Sequence, residues 1–289
     1  NCEIEIPIHN RFFVKVDCEG VADLVKVKRI KPFHALPTAA GFQDGIDAFA
    51  YTGNCDYSHT TAEWESVISL GIYGLRKRIE KYARANTANE RCRSFYEQEM
   101  RVFDAALRFI KRASMKAASC GRSEMASSLL RLTENSPSNL FEALQTSIIY
   151  YFLQHFFDET YLRTMGRIDK LFYPYYVKED KEEAEKMLFD YVKEIDRLDA
   201  PSNIPFALGG TDLDGNDMIN ELSYAWIETY KKADTTNTKL HLLCSEHTPA
   251  DIIKTAFQYI REGNNSIVFL SDKRVIEALE KQGIERKDA

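Results

Sequence analysis

One histidine stands where an imidazole could bind a ligand. His59 lies in the segment Tyr57-Ser58-His59-Thr60, immediately before a predicted helix. The free N–H groups and the dipole of a helix N-terminus favour anions, and an imidazole there could also move a proton near neutral pH. Alternatively, Ser58 or Thr60 only caps the helix and His59 is an exposed loop residue. Position alone favours this second interpretation.

Two further groups of ligand-type side chains lack the spacing of a metal site. The segment 212–217 has its glycine at the fourth position and Ser223 at the twelfth, whereas an EF-hand needs glycine sixth and glutamate twelfth. His241, Cys244 and His247 recur every three residues, and residues three apart on a strand face opposite sides. We therefore expect a tight turn at 212–217, core packing for Cys244 and no bound metal.

The elements that would position these side chains divide the chain into three stretches. Residues 1–57 lack helical periodicity and contain two predicted short strands, at 11–16 and 25–27. Residues 58–200 are mostly helical, and residues 203–289 alternate strands with helices. This alternation is typical of an α/β fold. Since no repeat or linker interrupts the chain, a single domain over 1–289 is predicted.

Several predicted elements have recognisable boundaries. Thr60 and Glu63 have the spacing of a capping box, Ser138 can cap a later helix, and Pro249 is expected at the first position of another. A long helix over 90–119 is expected to turn Phe95 inward. The remaining predictions are helices from Thr60 to about Tyr82, from Asp180, from near Asp217 and from Asp272, and strands at 203–208, 239–244 and 266–270.

Composition excludes several classes of protein. The 289 residues are 44% hydrophobic and carry a net charge of −6, which argues against a general nucleic-acid binder. No apolar run approaches the roughly 20 residues of a membrane span, and no secretion signal is recognised. The six cysteines are scattered without a CxxC pair. We therefore expect a soluble protein of the reducing cytoplasm that binds neither nucleic acid nor membrane.

An arginine and an aspartate stand within an aromatic segment, GRIDKLFYPYY at 166–176. Burying Arg167 and Asp169 requires that both be satisfied inside the protein, so a purely architectural role is one interpretation. As a pattern, GRxDxxxYPYY is similar to a segment of the glycyl radical enzymes, the family of pyruvate formate-lyase. Four further segments resemble that family in the same order, namely those at 57–75, 209–223, 247–249 and 269–283.

The resemblance implies a fold. Members of this family form a ten-stranded α/β barrel made of two five-stranded half-barrels and wrapped in helices. The chain would then be the first half-barrel with a large helical surround. In the family pattern the radical cysteine follows shortly after the position of Asp288-Ala289, and the glycine loop lies later still. We therefore expect the catalytic cysteine and glycine to lie outside this chain, which would be inactive by itself.

The resemblance also implies a function and site residues. The complete protein would be a lyase, dehydratase or formate acyltransferase of anaerobic metabolism, activated by a partner radical enzyme that uses S-adenosylmethionine, with its glycyl radical present only in the full-length form. His59 and Arg163 are the expected substrate-binding residues, and Arg167 and Asp169 are interpreted as structural. Arg163 stands where diol-dehydrating members carry a His-Ser pair; it would face an anionic substrate or pair with Asp158 or Glu159.

Two expectations remain open on sequence alone. The chain is expected to form a homodimer or to self-associate, because a half-barrel exposes strand edges and apolar surface. No cofactor is expected to bind to this chain itself. The alternative function is a non-catalytic binding or scaffolding protein that retained the half-barrel.

Overall fold

The computed structural model describes residues 3, 4, 6, 11–13, 16, 17, 48, 61–87, 89–158, 164–197, 204–235 and 237–288. Two short antiparallel strands come first, β1 (Glu3–Ile4) and β2 (Val16–Asp17). The six helices that follow are α1 (Trp64–Ala85), α2 (Glu90–Ser119), α3 (Ser123–Leu132), α4 (Leu140–Asp158), α5 (Ile168–Tyr176) and α6 (Lys181–Arg197). The last third alternates: β3 (Ile204–Gly209), α7 (Glu221–Ala233), β4 (Thr238–Cys244), α8 (Ala250–Arg261), β5 (Ile267–Ser271) and α9 (Asp272–Lys281).

The three longer strands form one parallel sheet in the order β3-β4-β5. Phe206 pairs with Leu240, and Leu242 pairs with Phe269, so these side chains share one face of the sheet. The helices that connect the strands pack on this same face, as the stacking of Phe257 from α8 on Phe269 shows. The predicted α/β fold, with many helices and a small parallel sheet, is therefore confirmed.

An aromatic cluster fills the space between the sheet and its helices. Phe206 of β3 contacts Tyr191 of α6 and Trp226 and Tyr230 of α7, with ring centroids 6.0–6.3 Å apart. All four side chains are fully buried. Burying such rings is the largest apolar contribution that single side chains can make, so this cluster anchors α6 and α7 to the sheet.

Helix α4 lies at the centre of the helical region. Its residues from Leu140 to Ile149 are buried on nearly every side, as expected for a helix enclosed by its neighbours. One of its polar side chains supports the N-terminal segment: Gln145 accepts a hydrogen bond from the Phe13 amide at 2.8 Å and donates one to the Phe13 carbonyl at 2.9 Å. Phe13 is thus held by a side chain, and residues 11–13 are not in a strand, whereas Val16, the last residue of the strand predicted for 11–16, belongs to β2. The strand predicted for 25–27 lies outside the described residues.

Two helices depart from their predicted form. Helix α1 is interrupted at Gly71, whose φ of 66° is non-helical, and Ser136 Oγ bonds to the carbonyl of Leu70 beside the break. In α2, Phe95 is 57% exposed, and its neighbour Tyr96 stacks on Tyr82 of α1. The prediction that Phe95 faces inward was wrong, because Tyr96 and not Phe95 meets the neighbouring helix, although Ile110 farther along the same helix is buried as expected.

Four predicted helix boundaries were also wrong. Helix α1 begins at Trp64 with Glu63 as its N-cap, so Glu63 is not the third helical residue of a capping box with Thr60. Asn139, and not Ser138, accepts the capping hydrogen bond at the start of α4. Pro249 occupies the N-cap position of α8 and not the first helical position. Helix α7 begins at Glu221 and not near Asp217, because Asn220 and Ser223 form its capping box.

Candidate functional site

The segment just before α5 pairs with strand β3 through an isolated parallel bridge at the edge of the sheet. The amide of Met165 donates to the Pro205 carbonyl and the Ala207 amide donates to the Gly166 carbonyl, both at 2.9 Å. Arg167 consequently pairs with Ala207 in parallel register. The sequence motif at 166–176 thus begins at the sheet edge and continues into helix α5.

Arg167 is directed toward the carboxyl end of β3. Its Nη1 donates to the carbonyls of Gly209 at 3.2 Å and Thr211 at 3.3 Å. A side chain at Gly210 would place its Cβ 3.0 Å from this nitrogen, and Gly210 also has a positive φ of 84°. Glycine is therefore required at position 210 both for backbone conformation and for the close approach of the guanidinium.

Asp169 joins three elements from a buried position. It is 1% exposed, and its Oδ2 accepts hydrogen bonds from the Gly209 amide at 2.7 Å and from Ser223 Oγ at 2.6 Å. Its Oδ1 accepts from the Lys170 amide at 2.9 Å. Burial raises the pKa of this carboxyl, although the three donors and Arg167 oppose that effect. The residue ties α5, the end of β3 and α7 together.

Two further carboxylates bind the loops that follow the strands. Asp272, at the start of α9, accepts from the amide of Thr211 at 2.7 Å and from its hydroxyl at 2.5 Å. Asp217 accepts from the hydroxyls of Ser245 at 3.1 Å and Thr248 at 2.5 Å. The loops after β3, β4 and β5 are therefore fixed to one another at one edge of the sheet.

The second face of the sheet is not covered in the same way. We call it the open face; its side chains are all at least partly exposed, and they belong to Pro205, Ala207, Lys239, His241, Leu243, Val268 and Leu270. Most of these residues are apolar. Such a surface in a parallel sheet is ordinarily covered by other parts of a protein, so this face is a candidate wall of a binding cavity.

His241 lies in the middle of the open face. Its register partners are Ala207 on β3 and Val268 on β5, which are small or short side chains. Burial lowers the pKa of the imidazole. Neutral imidazole carries one N–H donor and one nitrogen acceptor, so this ring can hydrogen-bond to a polar ligand in either sense.

The structure locates two of the four site residues predicted from sequence. Arg167 and Asp169 lie together at the end of β3, with contacts to backbone and to Ser223 that support a structural interpretation. His59 and Arg163, the predicted substrate-binding residues, lie outside the described residues. Their predicted roles stay predictions.

Metal binding, membrane spans and Cys244 can also be compared with the expectations from sequence. No group of three His, Cys, Asp or Glu side chains in the described part of the chain is arranged to hold a metal ion. None of the described helices is both long and apolar enough to cross a bilayer. Cys244 is half-buried at the edge of the core, where burial first and Asp217 second raise the pKa of its thiol.

Sequence reasoning missed the roles of Asp217 and Asp272. Both were assigned to helix starts, and Asp272 does begin α9. The signal that could have identified Asp217 is the pair of hydroxyls at Ser245 and Thr248, three residues apart at the end of a predicted strand. Because the partners are 28 and 31 residues from Asp217, no local pattern connects them.

Comparison with known proteins gives a consistent result. The model of the family described as "Pyruvate formate lyase-like" matches residues 43–289. The chain is 26% identical over 272 residues to a probable dehydratase, YbiW, of Escherichia coli strain K12, covering 80% of this chain and 33% of that protein. It is 28% identical over 210 residues to isethionate sulfite-lyase of Bilophila wadsworthia strain 3_1_6, covering 59% of this chain and 25% of that protein.

Solved structures share the fold. The glycerol-bound B12-independent glycerol dehydratase of Clostridium butyricum superposes with a TM-score of 0.75 at 17% identity, and a glycyl radical enzyme of Archaeoglobus fulgidus with 0.68 at 22% identity. Each match covers 80% of this chain and 33–34% of the other chain. The chain therefore spans about a third of the length of the proteins it resembles.

Proposed function

The chain belongs to the pyruvate formate lyase-like family, and from that premise we propose that it is the N-terminal part of a glycyl radical enzyme acting on a small polar metabolite. The observation that carries the proposal is the asymmetry of the parallel sheet. Helices α7 and α8 cover one face, whereas the apolar open face has no such cover among the described elements. A family that encloses its chemistry inside a barrel requires such a face.

In the complete enzyme, the open face lines the interior of a ten-stranded barrel. Strands β3, β4 and β5 belong to its first half-barrel, and the remainder of the complete protein supplies the second. The interior is apolar near Ala207, Leu243 and Leu270, which suits a radical site because reactive intermediates must be kept from water. The edge carboxylates Asp169, Asp217 and Asp272 hold the strand-end loops in place.

This placement assigns different roles to this chain and to the remainder of the protein. The catalytic cysteine and the radical-bearing glycine lie in the remainder of the protein and supply hydrogen abstraction once the enzyme is activated. Residues of this chain bind and orient the substrate: His59 and Arg163 contact it, while Arg167 and Asp169 keep the wall rigid. The chain by itself binds no cofactor and has no turnover.

The reaction class is an elimination. The relatives are named as a probable dehydratase and a sulfite-lyase. The similar solved structures include a glycerol dehydratase, a protein of Roseburia inulinivorans described for 1,2-propanediol dehydration, and a hydroxyproline dehydratase with trans-4-hydroxy-L-proline bound. These names favour a lyase over a formate acyltransferase. The partner is a cytoplasmic activating enzyme that uses S-adenosylmethionine, and the complete protein forms a homodimer.

Electron paramagnetic resonance tests the proposal. The full-length gene product, incubated without oxygen with its activating enzyme, should show the doublet of a glycyl radical, whereas the 289-residue chain treated identically should show none. Turnover would then be sought with glycerol, propane-1,2-diol, isethionate and trans-4-hydroxy-L-proline. A full-length protein without the radical would instead support a non-catalytic scaffold.

A further inference from the structure

The open face carries one titratable side chain for which the described part of the chain offers no hydrogen-bond partner. The other two charged groups at this face are engaged: Lys239 donates to the Asn265 carbonyl at 3.4 Å, and Arg167 donates to the Gly209 and Thr211 carbonyls. The remaining side chains are apolar. His241 is therefore the polar group that this wall presents to whatever lies against it.

The neighbours of His241 leave its ring accessible. Ala207 and Val268 flank it in register on the adjacent strands, and Lys239 and Leu243 precede and follow it on the same face of β4. None of these residues is fully buried. A histidine that served only to fill a core would have packed neighbours on all sides and a partner for at least one ring nitrogen.

We propose that His241 contacts the substrate in the complete enzyme, where its imidazole hydrogen-bonds to a hydroxyl or carboxylate oxygen of a small polar molecule held against the open face. This proposal rests on the function proposed above and adds a residue to its site. The chemistry is that of an uncharged ring in a largely apolar wall, which can donate to one oxygen or accept from one hydroxyl. It fixes orientation, and no covalent step is assigned to it.

Kinetics of the activated full-length enzyme test the assignment. His241→Leu should raise KM for the substrate by about 10-fold or more, because a hydrogen bond to a buried ligand oxygen is lost. His241→Asn, which keeps a donor and an acceptor, should recover part of that loss. His247→Leu is the matched control, since His247 is exposed in the loop after β4 and should leave KM unchanged. An unchanged KM in His241→Leu overturns the proposal.

Acylation by diethyl pyrocarbonate gives a second measurement that needs no turnover. The rate at His241 is followed by mass spectrometry in the full-length protein and in the 289-residue chain, with His247 as the internal reference. A cavity wall should make His241 several-fold slower in the full-length protein but still reactive. An equal rate in both proteins means a solvent-exposed surface, and complete protection means a packed core; either result overturns the proposal.

The two measurements separate this proposal from the function on which it rests. A full-length protein that forms no glycyl radical contradicts the proposed function, whatever the acylation rates are. A radical-bearing, active enzyme in which His241→Leu behaves like the parent contradicts only the assignment of His241.

Discussion

The two faces of the parallel sheet are built from the same three strands and have opposite properties. On the covered face, Phe206 meets Trp226 and Tyr230 in a fully buried aromatic cluster. On the open face, Ala207 and Val268 flank a half-buried histidine. Since adjacent residues of a strand point to opposite sides, alternate positions within β3 and β4 are buried on one side of the sheet and at least partly exposed on the other.

The two faces differ in how tightly their side chains are packed. The covered face is constrained by tightly packed rings, whereas the side chains of the open face are partly exposed and include three polar ones, His241, Lys239 and Arg167. The two faces meet at the ends of the strands, where Arg167, Asp169 and Gly210 fix the loops. Substitutions on the two faces should therefore differ strongly in their cost to stability.

The largest expected effect is on the covered face. Trp226→Ala should lower the free energy of unfolding by about 3–5 kcal/mol, because it empties the centre of the aromatic cluster. Val268→Ala, at a 38% exposed position of the open face, should cost less than about 1 kcal/mol. Urea unfolding followed by circular dichroism measures both. Similar losses at the two sites would contradict the distinction between the faces.

Asp169 tests the edge at which the faces meet. Asp169→Ala leaves the Gly209 amide and the Ser223 hydroxyl without their buried acceptor, so a loss of about 2–4 kcal/mol is expected. Ser223→Ala removes one of these donors and also the acceptor of the Asn220 amide in the capping box, while the carboxylate keeps its other donors, so it should cost less than Asp169→Ala. If Asp169→Ala were the milder of the two variants in urea unfolding, the carboxylate would not be the organising group.

Substitutions at two glycines distinguish a loss of stability caused by a close contact from one caused by backbone conformation. Gly210 and Gly215 have nearly equal φ values of 84° and 85°, but of the two only Gly210 has atoms within 4 Å of the point that a Cβ would occupy, the nearest being Arg167 Nη1. Gly215→Ala should cost about 1–2 kcal/mol for the left-handed backbone. Gly210→Ala should cost about 1–3 kcal/mol more, because the side chain crowds the guanidinium. Equal melting temperatures would show that Arg167 moves away without cost.

Much of the fold could be predicted because its signals are local. Helix α2 has the predicted bounds of 90 and 119, and all three strands of the sheet lie within one residue of their predicted positions. Asp180 caps α6 as expected, since its carboxylate accepts from the Glu183 amide. In each case, the residues that decide the structure are neighbours in sequence.

The wrong predictions concern residues whose structure depends on contacts with residues far away in the sequence. Asp217 was expected to begin a helix, but it accepts hydrogen bonds from Ser245 and Thr248, and Asn220 caps the helix in its place. Phe95 was expected inside, but the periodicity of a helix does not specify which of two adjacent aromatic residues meets the neighbouring helix. The position of His241 on an open face was not foreseen, because it depends on which side of the sheet α7 and α8 pack.

The smallest expected effect is a pH dependence of stability that comes from His241 on the open face. Burial lowers the pKa of His241 in the folded chain. In the unfolded chain, the pKa of a histidine is about 6.5. The unfolded state therefore binds more protons between the two pKa values, and stability must fall as the pH decreases through about 6.5 toward the folded pKa. Lys239 and Arg167 are the other charged groups of this face, and both donate to backbone carbonyls.

His241→Gln should remove this dependence. Urea midpoints of the parent chain and of the variant are measured at intervals from pH 8 to pH 5. Because the parent loses stability through His241 on acidification and the variant does not, the midpoint of the parent should fall relative to that of the variant as the pH decreases. His247→Gln serves as the control and should follow the parent. The half-exposed ring is partly solvated, so the expected difference is small. A parent chain whose stability relative to His241→Gln rises on acidification would mean that the imidazolium has a partner on the open face.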